Sequence, residues 1–392
     1  MTRFNFDAPI LVLAPHLLVP PRNGADLLVE RSARHLSQVA PEVTAVGASE
    51  TLHYRSGELA GVESRGTKMR GRSLAAARTL AKRSHYFKEK FLTPGFRTAV
   101  ADELDTKRWG GVICSYLVTA EVMGDCDLPT AAWTHNDEFL WFADLEMSTS
   151  SRLGREVAQT SFEYLARNAA DTASSTTLLH VTETDQEGFS RALGEHNSLV
   201  VPIGTDLDVP VAAAMEPGAP PTLLFVGSLS VTMNADALEH FAERFMPAIA
   251  GAFPTTRIVV AGSNPSQRVV DLCSSHGWSL RPDLPDAELD ALYEAATFTL
   301  MPFAYATGAK LKLLGSVAHG VPFLATGVLE FDEGLLVEPS VASDDPDLWV
   351  EAVTGVVEHG ISQEQRRTIT DAAEPYSWHR SVELLVAGLS EG

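Results

Sequence analysis

The sequence predicts an α/β protein of two doubly wound, Rossmann-like halves facing each other across a cleft, each a parallel sheet covered by helices. Three observations carry that expectation. The chain has 392 residues, too many for one ordinary hydrophobic core, so two domains are the default. Apolar runs of strand length alternate with helical periodicity along both halves, the pattern of a parallel sheet with helices on its faces. Residues 206–221 (DLDVPVAAAMEPGAPP) hold four prolines without any periodic pattern, as a linker does. The expected division is therefore a first domain over 1–205, a linker over 206–221 and a second domain over 222–375.

The elements follow in order. Ala8–Pro15 is a continuous apolar run, as expected of a strand buried on both faces. After a loop through Gly24, a helix is expected over Ala25–Val39 and a strand over Val43–Ala48. Residues 65–100 read as helical but poorly patterned. Strands are expected at Gly111–Leu117, Thr130–His135, Leu178–Glu183 and Leu199–Ile203, with a helix over Ser151–Ala170. In the second half the expected strands are Thr222–Val226, Arg257–Ala261, Thr297–Phe303, Pro322–Ala325 and Leu335–Glu338. Helices are expected over Ala235–Ala250, Gln267–His276, Asp286–Ala296 and Gly308–His319, then over Asp347–His359, Gln363–Ala373 and Ser377–Leu389.

Composition excludes several classes. A net charge of −21 argues against general nucleic-acid binding, which needs a basic surface. Three cysteines, Cys114, Cys126 and Cys273, give no disulfide framework, and no histidine or cysteine spacing suits zinc, so no metal is expected. With no leader sequence and no apolar run approaching 18 residues, a cytoplasmic protein is expected. One block departs from the acidic background: Arg65–Arg97 holds ten Lys or Arg residues against the single acid Glu89. Such a block either docks peripherally on anionic membrane, at the inner face, or on a phosphorylated acceptor, or it is a solvated helix pair.

Candidate chemistry sits where strands end, because ligands of doubly wound sheets bind there. Asn23 and Gly24 close the loop after the first strand, where glycine lets backbone approach a ligand. Trp133-Thr-His-Asn-Asp-Glu138 is a polar cluster directly after an apolar strand. His135 and Asn136 could meet a substrate hydroxyl or phosphate there, with Asp137 or Glu138 as base; the alternative is a polar cap on the next helix. Gly227 and Ser228 follow Phe225-Val226 in a small-residue turn able to offer N–H groups to an anion. Thr307, Gly308, Ala309, Lys310 and Lys312 lie at the start of a helix whose first turn carries two lysines and no acid. That is the unfavourable end for a cation and a good place for an anion, the alternative being two lysines on a solvated face.

Taken in order, these stretches resemble GT-B fold glycosyltransferases, and among them glycosyltransferase family 4, the group 1 glycosyl transferases. The likeness rests on Leu224-Phe-Val-Gly-Ser-Leu-Ser-Val-Thr-Met-Asn234, Ile258–Gly262, Leu280–Leu284, Lys312 and Ala318–Thr326. In the first half it rests on Pro20–Gly24, His135-Asn136 with Glu138, Val181–Asp185 and Val201–Gly204, and Tyr376-Ser-Trp378 resembles the start of the family's last helix. The resemblance implies a metal-independent, retaining transfer of sugar from a nucleotide-diphosphate donor, of the kind found in bacterial glycan biosynthesis, with no further cofactor. It implies a glycan, lipid-linked or small-molecule acceptor on the first domain and the donor on the second, against Gly227, Ser228, Asn234, Asp283, Leu284 and residues 307–312. His135, Lys310 and Lys312 would be catalytic. It also implies that 376–392 packs back towards the first domain. The family's two donor-site glutamates correspond to Thr307 and Gly315 here, so a catalytically silent binding or scaffold homologue is the alternative, and an epimerase of nucleotide sugars a further one.

Overall fold

The computed structural model describes residues 6–17, 24–65, 68–124, 126–149, 151–305, 310–329 and 331–390. The chain divides into two compact units, one of residues 1–204 with 378–392 and one of residues 205–377.

The first unit holds β1 (Ile10–Leu13), β2 (Val43–Val46), β3 (Glu50–Arg55), β4 (Glu58–Ser64), β5 (Gly111–Ser115), β6 (Thr130–Thr134), β7 (Thr177–His180) and β8 (Ser198–Val200). They form one sheet in the order β4-β3-β2-β1-β5-β6-β7-β8. From β2 to β8 the pairing is parallel. The helices are α1 (Gly24–Leu36), α2 (Arg72–Lys82), α3 (Tyr86–Phe91), α4 (Pro94–Thr106), α5 (Leu117–Ala120), α6 (Glu138–Ser148), α7 (Arg152–Ala173) and α8 (Glu183–Leu193). The strands from β1 to β7 in the centre read as unbroken apolar or small-residue runs because both their faces are covered; all four residues of β1 are buried.

The expectation of a wholly parallel first sheet needs correction. β3 and β4 form an antiparallel hairpin added to its edge beside β2. The turn is Ser56-Gly57, both at positive φ (50° and 83°), the geometry that matches hairpin twist.

The second unit holds β9 (Thr222–Val226), β10 (Arg257–Gly262), β11 (Ser279–Pro282), β12 (Phe298–Met301), β13 (Phe323–Ala325) and β14 (Val341–Ala342). Their order, β11-β10-β9-β12-β13-β14, is parallel throughout. Its helices are α9 (Thr232–His240), α10 (Met246–Ala252), α11 (Gln267–His276), α12 (Asp286–Glu294), α13 (Lys310–Ala318), α14 (Pro346–His359) and α15 (Gln363–Asp371). The single helix expected over 235–250 is α9 and α10 joined by a π turn at Phe241–Phe245. Pro247 follows that turn and has no N–H to continue the regular ladder.

Two further expectations differ. Leu335–Glu338 is no strand: Glu333–Leu335 is a 3₁₀ turn whose Gly334 N–H is taken by Asp332 (2.8 Å), and the sheet pairing falls to Val341–Ala342 instead. Pro339 directly after the run has no N–H to give a ladder. The segment 206–221, expected as a linker, is bonded along the second unit. Ala212 N–H donates to the His319 carbonyl (2.8 Å), Met215 pairs with Ile361, and Gly218 N–H donates to the Val357 carbonyl (2.7 Å). Ala212 is itself part of that unit's core, with Leu224, Ala261, Tyr293, Ala296 and Val321.

The last helix, α16 (Trp378–Ser390), lies in the first unit. Trp378 stacks on His35 with ring centroids 5.3 Å apart and covers Gly204, where a Cβ would fall 2.3 Å from the indole.

In both sheets the strand order reverses once, between β1 and β5 in the first and between β9 and β12 in the second. Neighbouring strands there send their following loops to opposite faces and leave a crevice at their carboxyl ends. Both candidate sites lie at these points.

Candidate functional site

In the second unit, β9 runs into Gly227 and Ser228 before α9 begins. Gly227 N–H donates to the Ala261 carbonyl (3.1 Å), and Gly262 crosses so close that a Cβ on it would lie 1.7 Å from the Gly227 oxygen. With Gly262 at φ 153°, no other residue fits there without moving the turn. Asn234, buried in the first turn of α9, ties the turn down by donating from Nδ2 to the Ser228 carbonyl (2.7 Å). Its Oδ1 accepts from Lys312 Nζ, which reaches across from α13. The ammonium also lies 4.6 Å from the Phe303 ring centroid and 5.4 Å from that of Phe225. A side chain on Gly227 would meet Lys312 Cε at 2.9 Å, so the glycine leaves the lysine its place.

The cause of Lys312's character is burial. Desolvation disfavours its charged form and brings its pKa down to about 7. An anion entering this crevice would return the charge. Phosphate oxygens there would meet the ammonium beside the first turn of α9.

Of the other residues expected here, Asp283 sits at φ 51° and spends its carboxylate on the Asn264 N–H (2.9 Å), fixing the loop after β10. Leu284 packs against the unit's core. Thr307, Gly308 and Ala309 lie outside the described residues, as does the side chain of Lys310, whose backbone opens α13. At Gly315 a Cβ would approach the Tyr293 hydroxyl to 3.1 Å. A carboxylate there would need Tyr293 to move.

In the first unit a second polar cluster occupies the switch point between β1 and β5. His135, after β6, is half-buried, and its Nε2 lies 2.5 Å from Ser115 Oγ at the end of β5. Ser115 Oγ lies 2.7 Å from Nε2 of His16, after β1, and His16 Nδ1 lies 3.3 Å from Oδ1 of the buried Asp26 in α1. Burial brings His135 down to about 3, with neighbouring His16 adding to it. Tyr116 packs edge-on against both histidine rings, at 5.2 and 4.7 Å. It does so at φ 69°, ψ 144°, a region close to glycine-only that costs on the order of 1–3 kcal/mol. Strain of that size persists where packing over-determines it.

Sequence reasoning found His135 and missed His16, Asp26 and Ser115. Asn136 lies in the bend after β6, Gly24 opens α1, and Asn23 lies outside the described residues. Asp137 is the N-cap of α6, accepting from Phe139 N–H (2.9 Å) and Leu140 N–H (3.0 Å), which settles its role as a cap. Glu138 points inward, accepting from Leu117 N–H (3.0 Å) on one oxygen, while the other is buried without a hydrogen-bond partner among the described residues.

The basic block behaves differently from its sequence. Arg65 pairs with Asp102 and Glu103, Arg78 and Lys82 with Glu89, Arg83 with Glu163, and Lys88 with Glu121. Among the described residues, Lys68, Arg72 and Arg97 stand outside these ion pairs and are exposed. No described helix is long and apolar enough to cross a membrane.

Residues 220–359 match the family of group 1 glycosyl transferases. No curated protein matches the chain. Over nearly its whole length the structure is similar to solved GT-B proteins at low identity. Sucrose-phosphate synthase from Thermosynechococcus elongatus superposes with a TM-score of 0.67 at 12% identity, covering 98% of each chain. HepE of Anabaena, in complex with UDP and glucose, gives 0.60 at 12% identity, covering 98% of this chain and 100% of that one. WaaG, a glycosyltransferase involved in lipopolysaccharide biosynthesis, gives 0.59 at 13% identity, covering 97% and 100%.

Glu138 makes one outcome measurable. Burial raises its pKa from 4.5 to about 7, so the folded state holds a proton that the unfolded state releases. Stability from this group therefore falls as pH rises between those values, and the full cost of an ionised buried carboxylate stands above pH 7. Glu138→Gln should be more stable than wild type at pH 8, by up to about 3 kcal/mol, with the advantage shrinking towards pH 5. Thermal unfolding across that range checks it; a gap that does not change with pH contradicts the buried carboxyl.

Proposed function

We propose that this chain, whose residues 220–359 match the group 1 glycosyl transferases, moves a sugar from a nucleotide diphosphate, held at the Gly227–Asn234–Lys312 crevice, to a hydroxyl acceptor bound by the first unit. The observation that carries this reading is Lys312, a buried ammonium tethered by Asn234 beside a glycine turn. In the transfer, the bond from the anomeric carbon to the diphosphate breaks and negative charge grows on the leaving oxygen. In this reading Lys312 and the start of α9 stabilise that charge, a preorganised electrostatic form of catalysis without a metal ion. Retention at the anomeric carbon belongs to the same reading, and so does a glycan, lipid-linked or small-molecule acceptor. HepE, solved with UDP, makes uridine diphosphate sugars the first donors to test.

Release of nucleotide diphosphate from a panel of nucleotide sugars, with candidate acceptors, tests the reading. The expected result is release from one donor class, undiminished by a chelator and lowered about 100-fold in Lys312→Met. No release from any donor contradicts it. The closed position at Gly315 favours one second reading, a protein that binds the donor without transferring it; nucleotide binding with no release would select that one.

A peripheral contact with anionic membrane is also proposed, through Lys68, Arg72 and Arg97. Co-sedimentation with vesicles should then rise with their phosphatidylglycerol content and fall between 50 and 500 mM salt, conditions chosen to span Debye lengths from about 14 to 4 Å. Binding indifferent to salt contradicts that contact.

A further inference from the structure

One aromatic ring at the surface of the second unit is held more firmly than a surface position requires. Tyr305, four residues after β12, is 51% exposed, yet its hydroxyl donates to Oδ2 of Asp236 in α9. That hydrogen bond, together with Arg268 and against the opposing effect of burial, holds the Asp236 carboxyl below its usual range, so it accepts as a carboxylate. Arg268 Nη1, from α11, lies 2.6 Å from Asp236 Oδ1, and Arg268 Nη2 pairs with Glu239. Exposed ion pairs of this kind add little to stability. What this chain of side chains does is fix the hydroxyl end of Tyr305 while the ring stays half exposed. A contact residue locked by a supporting layer of hydrogen bonds is the arrangement a binding site needs.

The ring's position gives it something to meet. Phe303, two residues before Tyr305, has its ring centroid 4.6 Å from Lys312 Nζ, and two residues of extended chain span at most about 7 Å. Asn234, whose Oδ1 accepts from Lys312, precedes Asp236 by two residues on α9. The Tyr305–Asp236 bond therefore ties the segment after β12 to α9 close to the ammonium, where the strand order reverses between β9 and β12.

We propose that Tyr305 is a stacking platform for the donor, its ring lying against the face of a ring that the diphosphate carries, with Asp236 and Arg268 as the positioning residues that hold it. The inference deepens the transfer reading above and rests on it. A nucleotide diphosphate sugar carries a base on one side of the diphosphate and a sugar on the other, and each presents a flat face to a tyrosine. Because the hydroxyl end is already fixed, little side-chain freedom is lost when a ligand ring arrives, and that preorganisation favours binding.

Calorimetric titrations with three kinds of probe separate the contributions: inorganic pyrophosphate, then uridine, guanosine and thymidine diphosphates, then the glucose conjugate of whichever nucleotide binds tightest. Pyrophosphate has no ring and reports on the anion crevice alone. In Tyr305→Ala the affinity for a ringed ligand should fall about 10-fold while that for pyrophosphate stays at the wild-type value, which also shows the variant folded. A loss already present with the nucleoside diphosphate assigns the platform to the base; a loss that appears only with the glucose conjugate assigns it to the sugar. Tyr305→Phe, which keeps the ring, should bind close to wild type. Asp236→Ala, which frees the ring, should show part of the loss and again spare pyrophosphate. Unchanged affinity of Tyr305→Ala for every ringed ligand, an equal loss for pyrophosphate, or Tyr305→Phe as weak as Tyr305→Ala overturns the platform and leaves the diphosphate at Lys312 standing. Pyrophosphate that binds wild type and Lys312→Met alike overturns the donor crevice itself, and the platform with it.

Discussion

The burial of one ammonium group sets the terms for the second unit. Lys312 gives up hydration to reach the end of β9, and what it receives in return is an amide oxygen from Asn234 and the faces of Phe303 and Phe225. Neither replaces water fully, which is why its charged form is disfavoured. The surrounding architecture follows from keeping that group in place. Gly227 leaves it room, Gly262 lets a second strand end pass beneath, and Asn234 is held by the Ser228 carbonyl so that its oxygen faces the lysine. In the proposed reading, an anion bound beside the ammonium would favour its charged form.

The first unit solves a related problem with different chemistry. Its switch point gathers His16, Asp26, Ser115 and His135 into a line of hydrogen bonds in a setting where unpaired polar groups are expensive. One atom in that line, His135 Nδ1, and one nearby, a Glu138 oxygen, remain without a hydrogen-bond partner among the described residues. Tyr116, in a backbone conformation that few residues other than glycine adopt, stands against both histidines. Unsatisfied atoms and strain in the same few residues mark a place shaped by something other than stability.

How far the sequence could be read depends on how local each signal is. β9 was legible to the residue because Thr222–Val226 is an apolar run bounded by proline on one side and glycine on the other. Lys312 stood out because a cation near a helix start needs a reason. The β3–β4 hairpin was not legible although Ser56-Gly57 is a turn signal. β4 is largely exposed, with Leu59 and Val62 at 40% and 50%, and a register shift at His53/Tyr54 breaks the alternation. The partners of His135 were invisible for another reason. His16 and Ser115 lie 99 residues apart in sequence, and only the parallel pairing of β1 with β5 brings their strand ends together. The acidic partners of the basic block were invisible in the same way, since Arg65 with Glu103 and Lys88 with Glu121 are pairs of the fold.

The claim that Lys312 receives the donor's diphosphate is tested most directly by calorimetric titration of uridine diphosphate at pH 8, in two buffers of different ionisation enthalpy. Free Lys312 is held at about 7 and so is mostly neutral at that pH. A diphosphate placed against the ammonium favours its charged form, and the complex should take up a proton, approaching one per site, that Lys312→Met does not take up. Binding with no proton uptake, or with the same uptake in Lys312→Met, would contradict the assignment of this lysine to the diphosphate.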